Sequence, residues 1–374
     1  MNLQIDLRSF FLILAAVQAL VISTLLVFRG IRKGRLSDQL LAAFLISLAA
    51  TLGEHIAGWM NWYQSQALTF FPFGNNFLFA PLAYLYIKSI TNINYRLKGR
   101  EWLHFTPALV YFVLHFLIWP MAVPAKLALI QKLGLLKYFY VEGAIDLIII
   151  TTYSVLAVRH YRAYLKWLPS EFSNLQPVTL KWFRNFLVIL SAVCVIEWGF
   201  SLTSLFYEYW YDVRYWDYFI RAVLLYYVSV AGYTFTARHE IIFSSQSNTE
   251  TNQTEVKNEN DLLPTQLLLD HMHSVKPYLD PELTLSQLAQ ELKLSTAIVS
   301  RTINAGLDKN FNDFINEYRV NEICLHLKAG QHKTKTLLGV ALDCGFNSKA
   351  TFNRSFKKLI GLAPKEWIEQ NVSE

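Results

Sequence analysis

LLGVALDCGFNSKATFNRSFKKLIGLAPKEW, residues 337–367, carries two helical signals joined by a turn. Leu337, Val340, Ala341 and Cys344 fall at i, i+3, i+4 and i+7, the buried stripe of a short helix. Gly345 supplies the turn, Asn347 or Ser348 is placed to cap a second helix, and Phe352, Phe356 and Leu359 anchor that helix. Gly361 stops it. The face left free displays Lys349, Ala350, Asn353 and Arg354, with Lys357 and Lys358 farther along. Amide and guanidinium groups suit base edges in a major groove, and the lysines suit phosphates.

The same grammar stands about fifty residues upstream in LTLSQLAQELKLSTAIVSRTIN, residues 283–304. Thr284 and Gln287 have the spacing of a capping box, and Leu285, Leu288, Ala289 and Leu292 form the buried stripe. Lys293 and Leu294 make the turn and Ser295 caps the next helix. Ile298, Val299 and Ile303 anchor that helix, while Thr296, Ala297, Ser300 and Arg301 face away. Between the two units, Phe311, Phe314, Ile315, Tyr318, Val320, Ile323, Cys324 and Leu327 give a helical pattern over 310–328. Such a helix is roughly 30 Å long, and recognition helices at its two ends would reach successive major grooves on one face of DNA.

Taken together, the two runs resemble the paired helix-turn-helix units of AraC-type regulators. The second is the more specific: Gly-Phe, then Ser, then Phe-x-x-x-Phe-Lys-Lys, then Gly and Pro stand in one order. The resemblance covers residues 262–370, and it implies sequence-specific binding of double-stranded DNA through two major-groove helices. In two places the chain departs from that pattern. Ala363 stands where the family usually has Ser or Thr before the proline, and Trp367-Ile368 where Tyr-Arg is usual.

Upstream the composition is of another kind. The chain is 53% apolar and 17% charged, with 26 Phe, 20 Tyr and 10 Trp, the balance of a membrane protein. Seven apolar stretches, 10–28, 40–59, 70–90, 105–123, 139–158, 186–206 and 218–235, lie near the ~20 residues that a helix needs to cross a bilayer. The third is interrupted by Pro72, Asn75, Asn76 and Pro81, and the KLALIQKLGLL run between the fourth and fifth has the pattern of a short amphipathic helix on the outer surface. The first, third and fifth connections carry thirteen Lys and Arg against five on the opposite side, which places the amino terminus outside and the carboxyl terminus in the cytoplasm. PLAYLYIKSI, residues 81–90, resembles a span of bacterial proteins that join seven membrane helices to an AraC-type domain. A polar stretch, SSQSNTETNQTEVKNEN, follows the last span and reads as a flexible tether with a reach of roughly 25 Å.

The expected architecture is therefore all-α: a polytopic seven-helix membrane bundle (1–240), a polar linker (241–261), and a cytoplasmic domain of two helix-turn-helix units joined by a linker helix (262–374). Within the spans Glu54, His55, Glu142, Asp146, Glu197 and Arg221 are ionisable, which is costly in lipid and marks them as candidates for a signal site. The competing reading is structural, with Arg221 pairing Glu197 or Glu142 to hold the bundle together. The string FYEYWYDVRYWDYF, residues 206–219, reads as an interfacial aromatic belt rather than a ligand cage. Ala297, Ser300 and Arg301 have a plain-surface reading beside the DNA reading.

Cys194, Cys324 and Cys344 are odd in number and far apart, so neither a disulfide framework nor a zinc knuckle is expected. No phosphate loop, HExxH, GxSxG or kinase pattern occurs, so no catalytic residue, metal or cofactor is expected. Residues 261–374 hold thirteen acidic and thirteen basic residues, so any DNA affinity must come from local placement of charge. The partners that follow are double-stranded DNA, the lipid bilayer, an unidentified signal ligand or membrane partner, and a second copy in a homodimer. The alternative is a seven-helix transporter or receptor with a protein-interaction tail. The location expected is the bacterial inner membrane. A topology reporter fused after Arg238 is expected to read as cytoplasmic, and a periplasmic signal would reverse the orientation.

Overall fold

The computed structural model describes residues 7–59, 68, 70–73, 76–133, 135–175, 178–179, 181–203, 211–234 and 262–372. Among them the fold is all helical, apart from one isolated antiparallel bridge between Phe172 and Thr284. By internal packing the chain divides into two units, Met1–Arg162 with Leu180–Ser245, and Ala163–Thr179 with Gln246–Glu374. The polar stretch read as a tether lies outside the described residues.

The first unit is built on α1 (Leu7–Lys33), α2 (Leu36–Trp59), α3 (Asn76–Thr91), α4 (Thr106–Ile118), α5 (Val123–Leu133), most of α6 (Leu135–Glu171), α7 (Lys181–Thr203) and α8 (Tyr211–Thr234). The seven apolar stretches lie on helices over most of their described residues, the third only from Asn76 onward. Among the described residues, five segments are long and apolar enough to cross a membrane: Arg8–Lys33, Leu36–Ala57, Gly99–Ile118, Val141–Glu171 and Lys181–Phe200. The third stretch makes a shorter apolar helix, Phe77–Thr91. Residues 70–73 are not helical, Phe70 having a positive φ of 66°, and α3 is described from Asn76. Of the KLALIQKLGLL run, residues 126–133 lie on α5 and 135–136 open α6.

Leu12, Ala19 and Leu26 of α1 and Leu45, Leu48 and Leu52 of α2 are buried, and Phe44 meets Phe79 and Phe186 edge-on. Polar ties close the bundle: Gln18 and Ser229 hydrogen bond across α1 and α8 at 2.7 Å. Arg29 forks onto Asp38 at 2.8 and 2.9 Å and donates to the Tyr233 carbonyl at 2.9 Å. Outward, the helices expose Phe10, Leu14, Phe28, Leu109, Phe116, Val188, Val195 and Val223, apolar area that water penalises and lipid does not.

The second unit strings two small cores on one helix. It comprises α9 (Leu262–Ser274), α10 (Leu285–Glu291), α11 (Thr296–Arg301, continued by a π-helical turn over Thr302–Gly306), α12 (Phe311–Lys328), α13 (Leu337–Asp343), α14 (Lys349–Ile360) and α15 (Pro364–Asn371). The first half of α12 gives Phe311, Phe314 and Ile315 to a core with Leu268, Met272, Leu285, Leu288, Val299 and Ile303. Its second half gives Val320, Ile323 and Leu327 to a core with Val340, Ala341, Phe346, Phe352, Phe356 and Trp367.

Local chemistry sets the ends of these helices. Thr284 and Gln287 form both halves of the capping box, and Ser295, Asn310, Thr336 and Ser348 each accept from a backbone N–H three residues on. Ala363 has no acceptor to offer, and α15 is capped from the other side by Glu366, which accepts from the Ala363 N–H at 2.8 Å. The anchors of α14 differ from the expected set in one place. Leu359 is exposed, and Ile360, one helical turn after Phe356, packs in its stead because the i+4 step keeps the Phe352–Phe356 face.

Both turns use a left-handed residue, Lys293 at φ 55° and Gly345 at φ 87°. Only Gly345 is also crowded: a Cβ there would press on the Tyr278 carbonyl, 2.9 Å from Arg319 Nε and 3.0 Å from the Leu279 carbonyl. At Gly361, also left-handed, the space is open. Gly345→Ala is therefore expected to destabilise the second unit by about 3 kcal/mol or more, against about 1–2 kcal/mol for Gly361→Ala. Pulse proteolysis of the intact chain across a urea series compares them, and equal losses would mean that the close approach at Gly345 is unimportant.

Candidate nucleic-acid interface

The two helix pairs present the ten residues singled out for DNA contact on their outer faces. Thr296, Ala297 and Arg301 of α11 are exposed and Ser300 is half-buried, accepting from Asn304 at 3.1 Å. On α14, Lys349, Ala350, Asn353, Arg354, Lys357 and Lys358 are all exposed, while Phe352, Ser355 and Phe356 turn inward. Lys358 carries an internal partner, donating to Asp313 of α12 at 2.6 Å. The pair is open to solvent, where such contacts are worth little, so a phosphate can displace it.

What fixes the two faces is a set of polar groups on α12 that its apolar pattern conceals. Asn312, Asn316, Arg319 and Glu322 recur at i, i+4, i+7 and i+10 and all four are buried. Arg319 is 1% exposed and sits between the two cores. Its Nε donates to the Tyr278 carbonyl and its Nη2 to the Asp280 carbonyl, both at 2.7 Å, and Nη2 also reaches Ser173 Oγ at 3.2 Å. The Phe346 ring lies 5.8 Å from the guanidinium. Burial lowers the Arg319 pKa to about 10, against the pull of Asp280 and Glu282, and at neutral pH it stays charged.

Three residues on, Glu322 takes hydrogen bonds from Lys276 Nζ at 2.7 Å and the Tyr278 hydroxyl at 3.0 Å. Burial alone would raise its pKa, and those donors outweigh burial and bring it below the usual carboxylate value. The same burial and the Glu322 contact push the Tyr278 hydroxyl up. Glu282 links the pairs directly, accepting from Asn347 in the second turn at 2.7 Å. Cys324 and Cys344 are free thiols, and burial raises Cys344 to about 12, which leaves it unreactive.

Residues 288–370 match the profile of a helix-turn-helix domain family. The match supports an AraC-type DNA-binding domain. It runs from the middle of α10 to the end of α15, and α12 lies wholly inside it. No curated protein and no solved structure matched the chain.

The candidates for a signal site lie in the first unit. Arg221 forms ion pairs with Glu197 and, at 3.1 Å, with Asp217 one turn earlier on α8. Asp146 and Glu54 act on Arg221 electrostatically, and on Glu142 as well. His55 is buried and stacks on Tyr218 with centroids 4.5 Å apart, and the Tyr218 hydroxyl donates to Glu54 at 3.4 Å. Asp217 and Tyr218 belong to the string read as an aromatic belt, of which residues 206–210 lie outside the described residues. A carboxylate and a hydroxyl four residues or fewer from Arg221 were the signal that reading passed over.

No metal-binding group of His, Cys, Asp and Glu occurs among the described residues. Arg319→Ala is expected to cost about 3 kcal/mol or more, since two backbone carbonyls lose a charged donor inside the fold. Arg319→Lys should recover little of it, because an ammonium cannot reproduce the planar fork. Urea-series proteolysis reads both variants, and a wild-type midpoint for Arg319→Lys would refute the fork.

Proposed function

We propose that the chain is a membrane-bound, sequence-specific DNA-binding transcription regulator that couples an extracytoplasmic or intramembrane signal to promoter binding. The observation that carries the reading is the pair of exposed, polar and basic helix faces on α11 and α14, held by one rigid helix inside the segment that matches a helix-turn-helix domain. An 18-residue helix is about 27 Å long, which suits two readers entering neighbouring major grooves from one side. Lys349, Ala350, Asn353 and Arg354 form the base-reading face, Lys357 and Lys358 the phosphate anchors, and Thr296, Ala297, Ser300 and Arg301 the first reader's contacts.

The reading takes seven crossings of the bacterial inner membrane with the carboxyl-terminal domain in the cytoplasm, supported by five helices long and apolar enough to span among the described residues. The cluster of Glu54, His55, Glu142, Asp146, Glu197 and Arg221, with Asp217 added, is the candidate signal site. Confinement to the membrane surface raises the effective concentration of a second copy, which favours dimeric occupancy of paired half-sites.

Sites occupied by the intact chain are to be mapped in cells and the bound sequence used in gel shifts. Arg354→Ala is expected to weaken specific binding by about 1–3 kcal/mol and to relax sequence preference. Lys358→Ala should weaken all sequences alike and reduce the salt dependence. Identical behaviour of the two would undo the division into reader and anchor, and an absence of discrete sites would favour a protein-docking tail.

A further inference from the structure

The second unit contains a segment that neither composition nor the matched domain assigns to it. Ala163–Thr179 is the end of α6 and the connection after it. The Tyr164 hydroxyl, fully buried, donates to the Val178 carbonyl at 2.7 Å, and Trp167 meets Phe172 edge-on at 6.0 Å, so the connection folds back on its own helix. At its tip Phe172, Ser173 and Asn174 lie along the residues that lead into α10. Phe172 pairs with Thr284 in the antiparallel bridge, and Ser173 N–H and Oγ both donate to the Leu283 carbonyl, at 3.3 and 2.6 Å. Asn312 Nδ2 donates to the Phe172 and Ser173 carbonyls at 3.2 and 2.7 Å, and Arg319 Nη2 to Ser173 Oγ. Asn174 reaches Glu282 Oε1 at 3.4 Å, the oxygen that also receives Asn347.

We propose that Phe172–Asn174 is a docking strap that seats in a groove formed by Glu282, Leu283, Thr284, Asn312 and Arg319, and that its engagement sets the angle between the first reader and the connecting helix. Three features carry this. First, the strap pairs with Thr284, the residue that caps α10, so it holds the entry to the first helix pair against α12. Second, the seam is closed by hydrogen bonds among polar side chains and backbone, with Glu282 and Arg319 as its charged members. Water can replace such bonds when the strap leaves, whereas an apolar seam would stay shut. Third, the strap follows directly on α6, a 37-residue helix whose amino-terminal part carries Glu142 and Asp146. One helix in the chain therefore carries two of the candidate signal residues and leads in sequence directly into the strap. None of the ten candidate DNA contacts takes part in the seam, and the docked reader keeps both faces free.

The consequence for DNA rests on the function proposed above; the docking does not. The test is hydrogen exchange on the intact chain in lipid nanodiscs, with chromatin occupancy measured in cells at matched protein levels. In the wild type the amide of Ser173 should exchange about tenfold more slowly than an open loop. Ser173→Ala combined with Asn174→Ala, which leaves the cores of the reader untouched, should remove that protection, keep that of Lys349–Ile360, and change promoter occupancy by about fivefold or more. Asn312→Ala, from the other side of the seam, should do the same.

Unprotected strap amides in the wild type would overturn the docking. Release of the strap with occupancy unchanged would overturn its control of the reader. Failure of the DNA reading itself would show instead as an absence of discrete occupied sites with the strap still protected.

Discussion

A single guanidinium governs how the second unit is put together. A charge taken out of water is tolerated only where acceptors surround it, and Arg319 finds them in the carbonyls of Tyr278 and Asp280 and in the hydroxyl of Ser173. Those acceptors belong to stretches far apart in the chain, so the need of one side chain draws three segments to one point. Gly345 lacks a side chain at that same point, and Phe346 lays its ring near the charge. The two cores on either side are ordinary apolar clusters that would each tolerate a range of mutual angles. The fork between them selects one.

The first unit meets the same problem with the opposite sign in excess. Around Arg221 stand Glu197 and Asp217 as direct partners and Asp146 and Glu54 within electrostatic range. Carboxylates outnumber cations there, and the aromatic faces of His55 and Tyr218 close one side. Such a site has room for a change of charge in a way that a matched pair has not.

Much of this was legible because it is local. The stripes of α10 and α13, the caps at Thr284, Ser295 and Ser348 and the stop at Gly361 are written within a few residues of where they act, and the helices obey them. The apolar stretches of the first unit are legible for the same reason, though composition alone ended the fifth at its first arginine, while α6 runs on to Glu171 because Arg, Lys and Leu are good helix formers. The polar face of α12 was missed because a search for apolar periodicity treats Asn312, Asn316, Arg319 and Glu322 as surface. Leu359 was taken for an anchor on hydrophobicity alone, when the register favoured Ile360. The seam at Ser173 has no local signature, since its partners are separated from it by 110 to 146 residues.

That separation has a bearing on how the molecule is born. A contact spanning more than a hundred residues pays for a large loop closure before it returns anything, and such contacts form late. Synthesis from the amino terminus finishes Phe172–Asn174 long before Leu283, Asn312 and Arg319 exist. The reader then has to assemble its two cores with the strap still unseated and with water standing in for Ser173 at the guanidinium. Every newly made chain therefore passes through the unseated form once, in the order the ribosome imposes.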